Sequence, residues 1–324
     1  TPIAAPRPQQ RTPEVDREVH SGCPSCGVGC QLSYQIKDEK IAFGQGRNGD
    51  SNENRLCVKG RFGFDYISNP QRLTKPLIRK PDMPKGVNVE PSNPYTHFRE
   101  ASWEEALDVA ASGLARVSDA HGGEAIAGFG SAKCSNEEAY LFQKLIRTRF
   151  RTNNVDHCTR LCHASSVVAL IEGIGSGAVT ATFNEVEHAD VIVIIGANPT
   201  ENHPVAATFF KQAARRGAKL IVIDPRGQAL RNYASHMLRF KAGSDVALLN
   251  AIMHVIVEEE LYDVQYLQAH TENFEALKTN LASYSPESVT DICGIDPDTI
   301  RDVARMFGNA SNAMIFWGMG ISQH

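Results

Sequence analysis

Four of the chain's eight cysteines fall as C-P-S-C-G-V-G-C and then, after 26 intervening residues, as C-V-K-G. No other feature limits the possible folds as tightly, because Cys23, Cys26, Cys30 and Cys57 can converge on one inorganic centre. Three thiolates within eight residues repel one another and ionise readily only beside a positive metal. The spacer Gly27-Val28-Gly29 lets the backbone curl so that their sulfurs face one point. The spacing C-x2-C-x3-C plus one distant cysteine suits the corners of a [4Fe–4S] cubane. Paired zinc knuckles repeat C-x2-C instead; zinc and uncoordinated thiols are the competing readings.

The other cysteines, Cys134, Cys158, Cys162 and Cys293, are scattered. That pattern argues against a disulfide framework and for a reducing compartment or a buried cofactor, hence a cytoplasmic location. A chain of 324 residues ordinarily forms two domains or three small ones. Its 37 acidic and 33 basic side chains leave a net charge of −4, so no bulk field draws it to nucleic acid or an acidic membrane. No apolar run reaches the roughly 18 residues that span a bilayer, so no membrane insertion is expected. The chain starts at Thr1 without Met and stops soon after the apolar run Ala313–Trp317, and it reads as a piece of a longer protein.

Residues 1–20 are proline-rich and poor in apolar side chains, the composition of an extended linker. Over 21–66 the alternating pieces QLSYQI and KIAFGQG predict small strands wrapped round the cluster, in a domain too small to hold together without a metal. Lys59 lies two residues past Cys57; taken alone it reads as a solvated surface lysine. Residues 67–100 predict an irregular, proline-rich crossing that marks a boundary. Two capping boxes follow, Ser102 with Glu105 and Ser135 with Glu138. Each opens an amphipathic helix, with a short strand over 126–130 between them. In the loop from Gly130 to Asn136 a ligand could meet the amides of a helix start.

The clearest α/β signal lies over 189–242. Val191–Ile195 is wholly aliphatic and runs into G-A-N-P-T-E-N. A helix is predicted over 200–216, then a second buried strand over 220–223 closed by Asp224-Pro225-Arg226. Two buried strands joined by a crossover helix, with polar residues at both carboxyl ends, predict a doubly wound parallel sheet with its binding crevice there. An acidic residue in the place of Asp224 commonly bonds a ribose, yet G-x-G-x-x-G is missing. That disfavours an ordinary nicotinamide site and favours a nucleotide held another way; plain loop residues are the alternative. Further helices are predicted to residue 260, over 262–277 and from Asp296, before a last strand at Ala313–Trp317.

Between these regions D-H-C-T-R-L-C-H-A-S-S sets Cys162 beside His163, just ahead of a predicted helix. Amide dipoles at a helix start stabilise a thiolate, and a neighbouring imidazole can move a proton. A bare Cys–His pair also fits a small buried hydrophobe next to a surface histidine.

Taken in order, C-P-S-C-G-V-G-C, C-V-K-G, S-N-E-E-A-Y-L-F-Q-K-L-I-R, R-L-C-H-A-S-S-V, I-G-A-N-P-T-E-N-H-P and I-D-P-R resemble the catalytic subunit of molybdenum- or tungsten-dependent formate dehydrogenases. These belong to the dimethyl sulfoxide reductase family, and the resemblance covers residues 20 to 324. The fold it implies, beside the sequence pattern, is α/β: a small β-rich iron–sulfur domain over 21–66, then α/β domains including a doubly wound parallel sheet. Those comprise a first α/β segment over 67–157, a Rossmann-like dinucleotide-binding domain over 158–312, and from 313 to 324 the start of a return into the preceding domain.

The resemblance further implies a [4Fe–4S] cluster on Cys23, Cys26, Cys30 and Cys57, near a molybdenum or tungsten held by two pterin guanine dinucleotides. Cys162 is then the protein's ligand to that metal, and His163 handles the proton. Lys59 becomes the link between cluster and pterin, which reverses the surface reading. Gly196, Asn198, Glu201, Asn202, Asp224, Arg226, Gly243 and Asp245 fall on loops that hold guanine dinucleotide, while Ser131, Asn136, Gly318, Gln323 and His324 line the pterin side. The implied activity is reversible oxidation of formate to carbon dioxide, with iron–sulfur or flavin- and NAD-reducing subunits as partners. Nitrate reductases of the family usually carry Met after the ligand cysteine, where this chain has His163. The related subunit of respiratory NADH dehydrogenase lacks the metal centre, against which Cys162 argues. A non-catalytic iron–sulfur scaffold is the alternative from another class. The resemblance puts the formate-anchoring arginine beyond residue 324, so this piece alone is expected not to turn over.

Overall fold

The computed structural model describes residues 14–86, 90 and 92–323; most of the linker stretch and His324 lie outside the described residues. The chain forms two compact units, one from the residues up to Phe64 together with those from Ser165 onward, the other Asp65–Ala164.

The first unit begins with an antiparallel sheet of β1 (Arg17–Gly22), β2 (Gln31–Lys37) and β3 (Lys40–Gly46), with β2 central. Asp38 and Glu39 join β2 to β3 with φ of 47° and 56°, the left-handed pair whose twist matches the strands of a tight hairpin. A short helix, α1 (Val58–Phe62), starts directly after Cys57.

In the second unit β4 (Leu77–Arg79) pairs antiparallel with β5 (Phe98–Glu100), and α2 (Trp103–His121) follows. Ser102 Oγ accepts the Glu105 amide at 3.1 Å, but the Glu105 carboxylate reaches out to Arg99, so the predicted capping box is half made. The box at Ser135 is complete and opens α3 (Asn136–Lys144), which ends in an unpredicted π-helical turn over Leu145–Arg149. Two short strands, β6 (Gly128–Phe129) and β7 (Val155–Asp156), run parallel on either side of that helix in sequence. The unit ends in α4 (Thr159–Cys162).

The first unit resumes in α5 (Ala164–Ile174) and continues through β8 (Val191–Ile195), α6 (Pro199–Asn202), α7 (Pro204–Arg216) and β9 (Lys219–Ile223). Next come β10 (His236–Leu238), α8 (Asp245–Glu258), α9 (Val264–His270), α10 (Phe274–Leu281), α11 (Pro286–Cys293) and α12 (Pro297–Gly308). Last are β11 (Ala313–Trp317) and α13 (Met319–Ser322). The single helix predicted over 200–216 is broken at His203, whose φ of −135° reflects the ban on helical geometry just before a proline. The one predicted over 262–277 is likewise split, at Asn273 with its φ of 61°.

All four strands of the main sheet are parallel, in the order β10-β9-β8-β11. The chain therefore winds outward from β8 through β9 to β10 and then returns to the other side of β8, which puts the topological switch point between β8 and β11. Side chains alternate as strands require. Ile192, Ile194, Leu220 and Val222 face the core that holds α7, while Val191, Val193, Ile195, Ile221 and Ile223 face the core that holds α8, α11 and α12.

The iron–sulfur segment shares the first of these cores: Val28, Leu32 and Leu56 are buried together with Val205, Phe209 and Phe210. Arg55 adds its guanidinium over the Phe209 ring, 4.1 Å from the centroid. In the same core Phe183 and Phe316 stack at 5.9 Å between centroids, and Phe210 meets this stack tilted, 4.8 Å from Phe316 and 6.4 Å from Phe183. Among the described residues no helix is long and apolar enough to cross a membrane.

Removing the ring that meets this stack tests the core. Phe210→Ala should destabilise the first unit by about 3–5 kcal/mol, the usual cost of truncating a buried aromatic. Denaturant unfolding followed by tryptophan fluorescence measures it; a change under about 1 kcal/mol would mean that the stack is not the centre of the core.

Candidate functional site

The four cysteines of the amino-terminal motif line one small cavity of about 20 Å³, partly open to solvent. The Cys23 amide donates to the Cys30 carbonyl at 2.8 Å, and Gly29 takes a φ of 67°, so the eight-residue motif closes on itself. Cys57 comes from a distance, and one side chain governs its approach. Asn52, fully buried, donates from Nδ2 to the carbonyls of Gln31, Arg47 and Arg55 and accepts the Gln31 amide on Oδ1. It staples the loop that delivers Leu56 and Cys57. Nothing in the spacing pattern marks Asn52; its only signal is a polar residue in a turn-rich stretch, which is common.

Lys59 and Gly60 form another part of the wall, with Glu201, Asn202, Pro204 and Val205 facing them from α6 and α7. A Cβ on Gly60 would stand 3.1 Å from Leu56 Cδ2 and 3.6 Å from Cys23 Sγ, so a glycine is what lets α1 approach the sulfurs. Glu201 and Asn202, expected on the nucleotide side, thus stand beside the cysteines. His203 packs near Gly27 of the cysteine loop, and burial pushes its imidazole below the ordinary histidine range.

Burial pushes the Cys30 thiol up to about 12, helped by the neighbouring Cys23, Cys26 and Cys57 sulfurs. Burial likewise raises Cys26, with Cys23 and Cys57 adding to the shift and Lys59 opposing it. Such thiols become thiolates only when a cation compensates them. Among the described residues no three His, Cys, Asp or Glu side chains are placed to hold one metal ion. The donor set and the cavity fit a cluster.

At the carboxyl ends of the main sheet, two loops meet backbone to backbone. The Gly318 amide donates to Ile195 O at 3.2 Å and the Gly320 amide to Gly196 O at 2.9 Å. Gly196 has φ 58°, and a Cβ there would lie 2.8 Å from the Gly320 carbonyl carbon, so neither loop tolerates a side chain at this crossing. Asn198 is buried; its Oδ1 accepts from Thr200 Oγ1 at 2.6 Å. Asp224 is buried at the end of β9 and its Oδ1 accepts the Arg226 amide at 2.9 Å, which turns Arg226 outward, where it is exposed. Gly243, with φ 84°, and Asp245 open α8 beyond β10. The clamp between the first two of these loops is Gln228, which no sequence motif singles out. Its buried Nε2 donates to Ala197 O at 2.6 Å and ties the loop after β9 to the loop after β8. Gly318 lies in the β11 loop, and Gln323 follows α13.

In the second unit β6 and β7 run parallel, so the loops leaving both strands start from the same end of the pair. One carries Ser131 and leads to Asn136; the other carries His157 and leads to Cys162 and His163. They are close at their roots, where the Gly130 amide donates to Asp156 O at 2.8 Å. Cys162 is half-buried at the last position of α4 and His163, its C-cap, is exposed. No disulfide joins any of the eight cysteines.

Sequence comparison matches residues 72–324 to the molybdopterin oxidoreductase family and residues 16–69 to the molybdopterin oxidoreductase Fe4S4 domain. The chain belongs to the molybdopterin oxidoreductases. It is similar to formate dehydrogenase H of Escherichia coli, 38% identical over 95% of this chain and 42% of that protein. It is also similar to the F420-dependent formate dehydrogenase 1 subunit alpha of Methanococcus maripaludis, 40% identical over 94% of this chain and 43% of that one. The chain thus spans about two fifths of the length of these relatives. Acetylene hydratase from Pelobacter acetylenicus shares the fold with a TM-score of 0.80 at 24% identity, covering 94% of this chain and 40% of that one. The cofactors are accordingly a [4Fe–4S] cluster and a molybdopterin carrying molybdenum or tungsten.

Asn52→Ala would leave buried carbonyls and an amide without partners, at about 1–3 kcal/mol for each group. The expected result is loss of most of the iron from purified protein while the main sheet stays folded, read by iron analysis and circular dichroism. Full iron occupancy in the variant would show that Cys57 is delivered without the staple.

Proposed function

We propose that the complete protein is the alpha subunit of a formate dehydrogenase, oxidising formate reversibly to carbon dioxide. What carries this reading is the Cys162–His163 pair at the end of α4, in a chain whose relatives at 38–40% identity are named formate dehydrogenases. The acetylene hydratase likeness supports the fold and leaves the reaction to the site residues.

Molybdopterin would enter as two guanine dinucleotides. The loops after the sheet strands, with Gly196, Asn198, Asp224, Arg226, Gly243 and Asp245, would hold the nucleotide ends, and Ser131, Asn136, Gly318 and Gln323 the pterin side. Glu201 and Asn202 would serve between nucleotide and cluster. When bound between these loops, the metal centre would supply two-electron redox chemistry, and the cluster held by Cys23, Cys26, Cys30 and Cys57 would supply one-electron transfer. Cys162 supplies the thiolate ligand, whose softness suits molybdenum and tungsten alike. Oxidation of formate to carbon dioxide frees two electrons and one proton, and the His163 imidazole, exposed next to Cys162, would take that proton. Lys59, on the wall of the cluster cavity, offers an ammonium group to whatever links cluster and pterin. The protein works in the cytoplasm, where exposed thiols such as Cys134 and Cys158 stay reduced, and passes electrons to iron–sulfur or flavin- and NAD-reducing subunits.

Two substitutions in the full-length enzyme test this. Cys162→Ala should lower formate oxidation by about 10³-fold or more with the cluster intact, as removal of a reacting-centre ligand does. Activity at the unsubstituted rate would end the claim. Lys59→Met should keep the metal content and slow cluster reduction by formate in rapid-mixing spectra; unchanged kinetics would return Lys59 to the surface.

A further inference from the structure

The helix that follows the last cluster cysteine carries a buried charge with no opposite charge paired to it. Arg61 lies one turn along α1 from Cys57, and its amide donates to the Cys57 carbonyl at 3.1 Å. Among the described residues it is the one buried lysine or arginine side chain, 7% exposed. A guanidinium can give five N–H hydrogen bonds. Among the described residues this one gives one, from Nη1 to the Gly44 carbonyl of β3 at 3.3 Å, and its Nε is buried without a partner. No carboxylate among the described residues pairs with it, whereas Arg55, earlier in the same loop, pairs with Glu53 at 2.8 Å. An arginine kept for its hydrogen bonds would use more of them. What Arg61 brings to the interior is charge, and a charge taken out of water is costly unless an opposite charge answers it.

We propose that Arg61 is the buried counter-charge of the [4Fe–4S] cluster and holds its reduction potential up, because its unpaired guanidinium rides on the helix that brings Gly60 against the sulfurs. A [4Fe–4S] core held by four thiolates is an anion, and reduction adds one more negative charge to it. A fixed cation therefore favours the reduced state, since net charge and solvent exposure are among the factors that set cluster potentials. The effect needs no contact with the sulfurs. Backbone packing keeps Arg61 in place: a Cβ on Gly44 would stand 3.2 Å from Gly60 O and 3.4 Å from Arg61 O, so α1 lies directly on β3. Lys59, two residues earlier, is exposed, and water at a dielectric constant of about 80 answers its charge. Inside the protein an effective value of about 20 applies, so at equal distance the charge of Arg61 acts about four times as strongly. The proposal rests on the cluster alone and not on which substrate the protein oxidises.

The test uses the full-length, cofactor-loaded enzyme, unsubstituted and with Arg61→Gln, Arg61→Met and Arg61→Lys. Each is titrated with dithionite in the presence of redox dyes; the reduced cluster is counted by its electron paramagnetic resonance signal, and iron is analysed alongside. In Arg61→Gln and Arg61→Met the ratio of reduced to oxidised cluster at a fixed potential should fall about tenfold, a downward shift of about 59 mV for a one-electron couple. Arg61→Lys keeps the charge and should stay near the unsubstituted value. Because the charge is buried, the difference should persist from about 0.01 M to about 1 M salt, over which the Debye length shrinks from about 30 Å to about 3 Å. Unchanged potentials in both neutral variants with full iron would overturn the proposal. So would an equal fall in Arg61→Lys, which would trace the shift to lost packing, or a difference that disappears in high salt, which would place its origin at the surface. If the neutral variants lose the cluster, iron retained in Arg61→Lys supports the counter-charge, and iron lost from all three overturns it. None of these readings uses formate, so their failure leaves the proposed reaction standing.

Discussion

The packing of Val28, Leu32 and Leu56 against Val205, Phe209 and Phe210 joins the cysteine-bearing segment to the parallel sheet, and the rest of the first unit depends on that contact. A segment of this size buries too little apolar surface to stand alone, and here it borrows the core of the sheet. The same contact decides what the cysteines face. It brings the cavity against the start of α7, so that Glu201, Asn202, Pro204 and Val205 form its wall opposite Lys59. Electrostatics follow from packing, since the burial that stabilises the joint also raises the Cys26 and Cys30 thiols and makes their ionisation depend on iron.

The second constraint is steric. At the switch point of the sheet two loops cross so closely that Gly196, Gly318 and Gly320 have room for hydrogen only. Gln228 clamps one side of this crossing through Ala197, and the serines of α5 clamp the other through Ser322 and Trp317. The crevice is thus pre-formed by backbone contacts and a few side-chain hydrogen bonds, as suits a site for a large cofactor.

Much of this was legible in the residue pattern. The cysteine spacing, the alternating strands of the iron–sulfur segment, the aliphatic runs at Val191–Ile195 and 220–223 and the capping box at Ser135 each carry a local signal, and each is realised. The failures have physical causes of the same kind. Pro204 broke a helix that periodicity alone would continue, and the carboxylate of Glu105 preferred the guanidinium of Arg99 to the amide it was expected to cap. Asn52, Gln228 and Ser166 were invisible because their importance lies in long-range hydrogen bonds, and a lone polar residue has no periodicity to betray it.

By itself the sequence determined the spacing of four cysteines that suits an iron–sulfur cluster, and the period-2 and helical patterns that make a doubly wound sheet the lowest-cost way to bury its apolar runs. These are properties of spacing and of local stereochemistry. Only the tertiary structure decided which residues share a wall: that Glu201 and Asn202 stand with the four cysteines, that Gly196 meets Gly320, and that the helix after Cys162 is tied to the loop after β11. Such neighbours are remote in the chain, Ser166 and Ser322 being 156 residues apart. What unites them is the closing of the two cores on either side of the sheet, an event that no short stretch of sequence encodes.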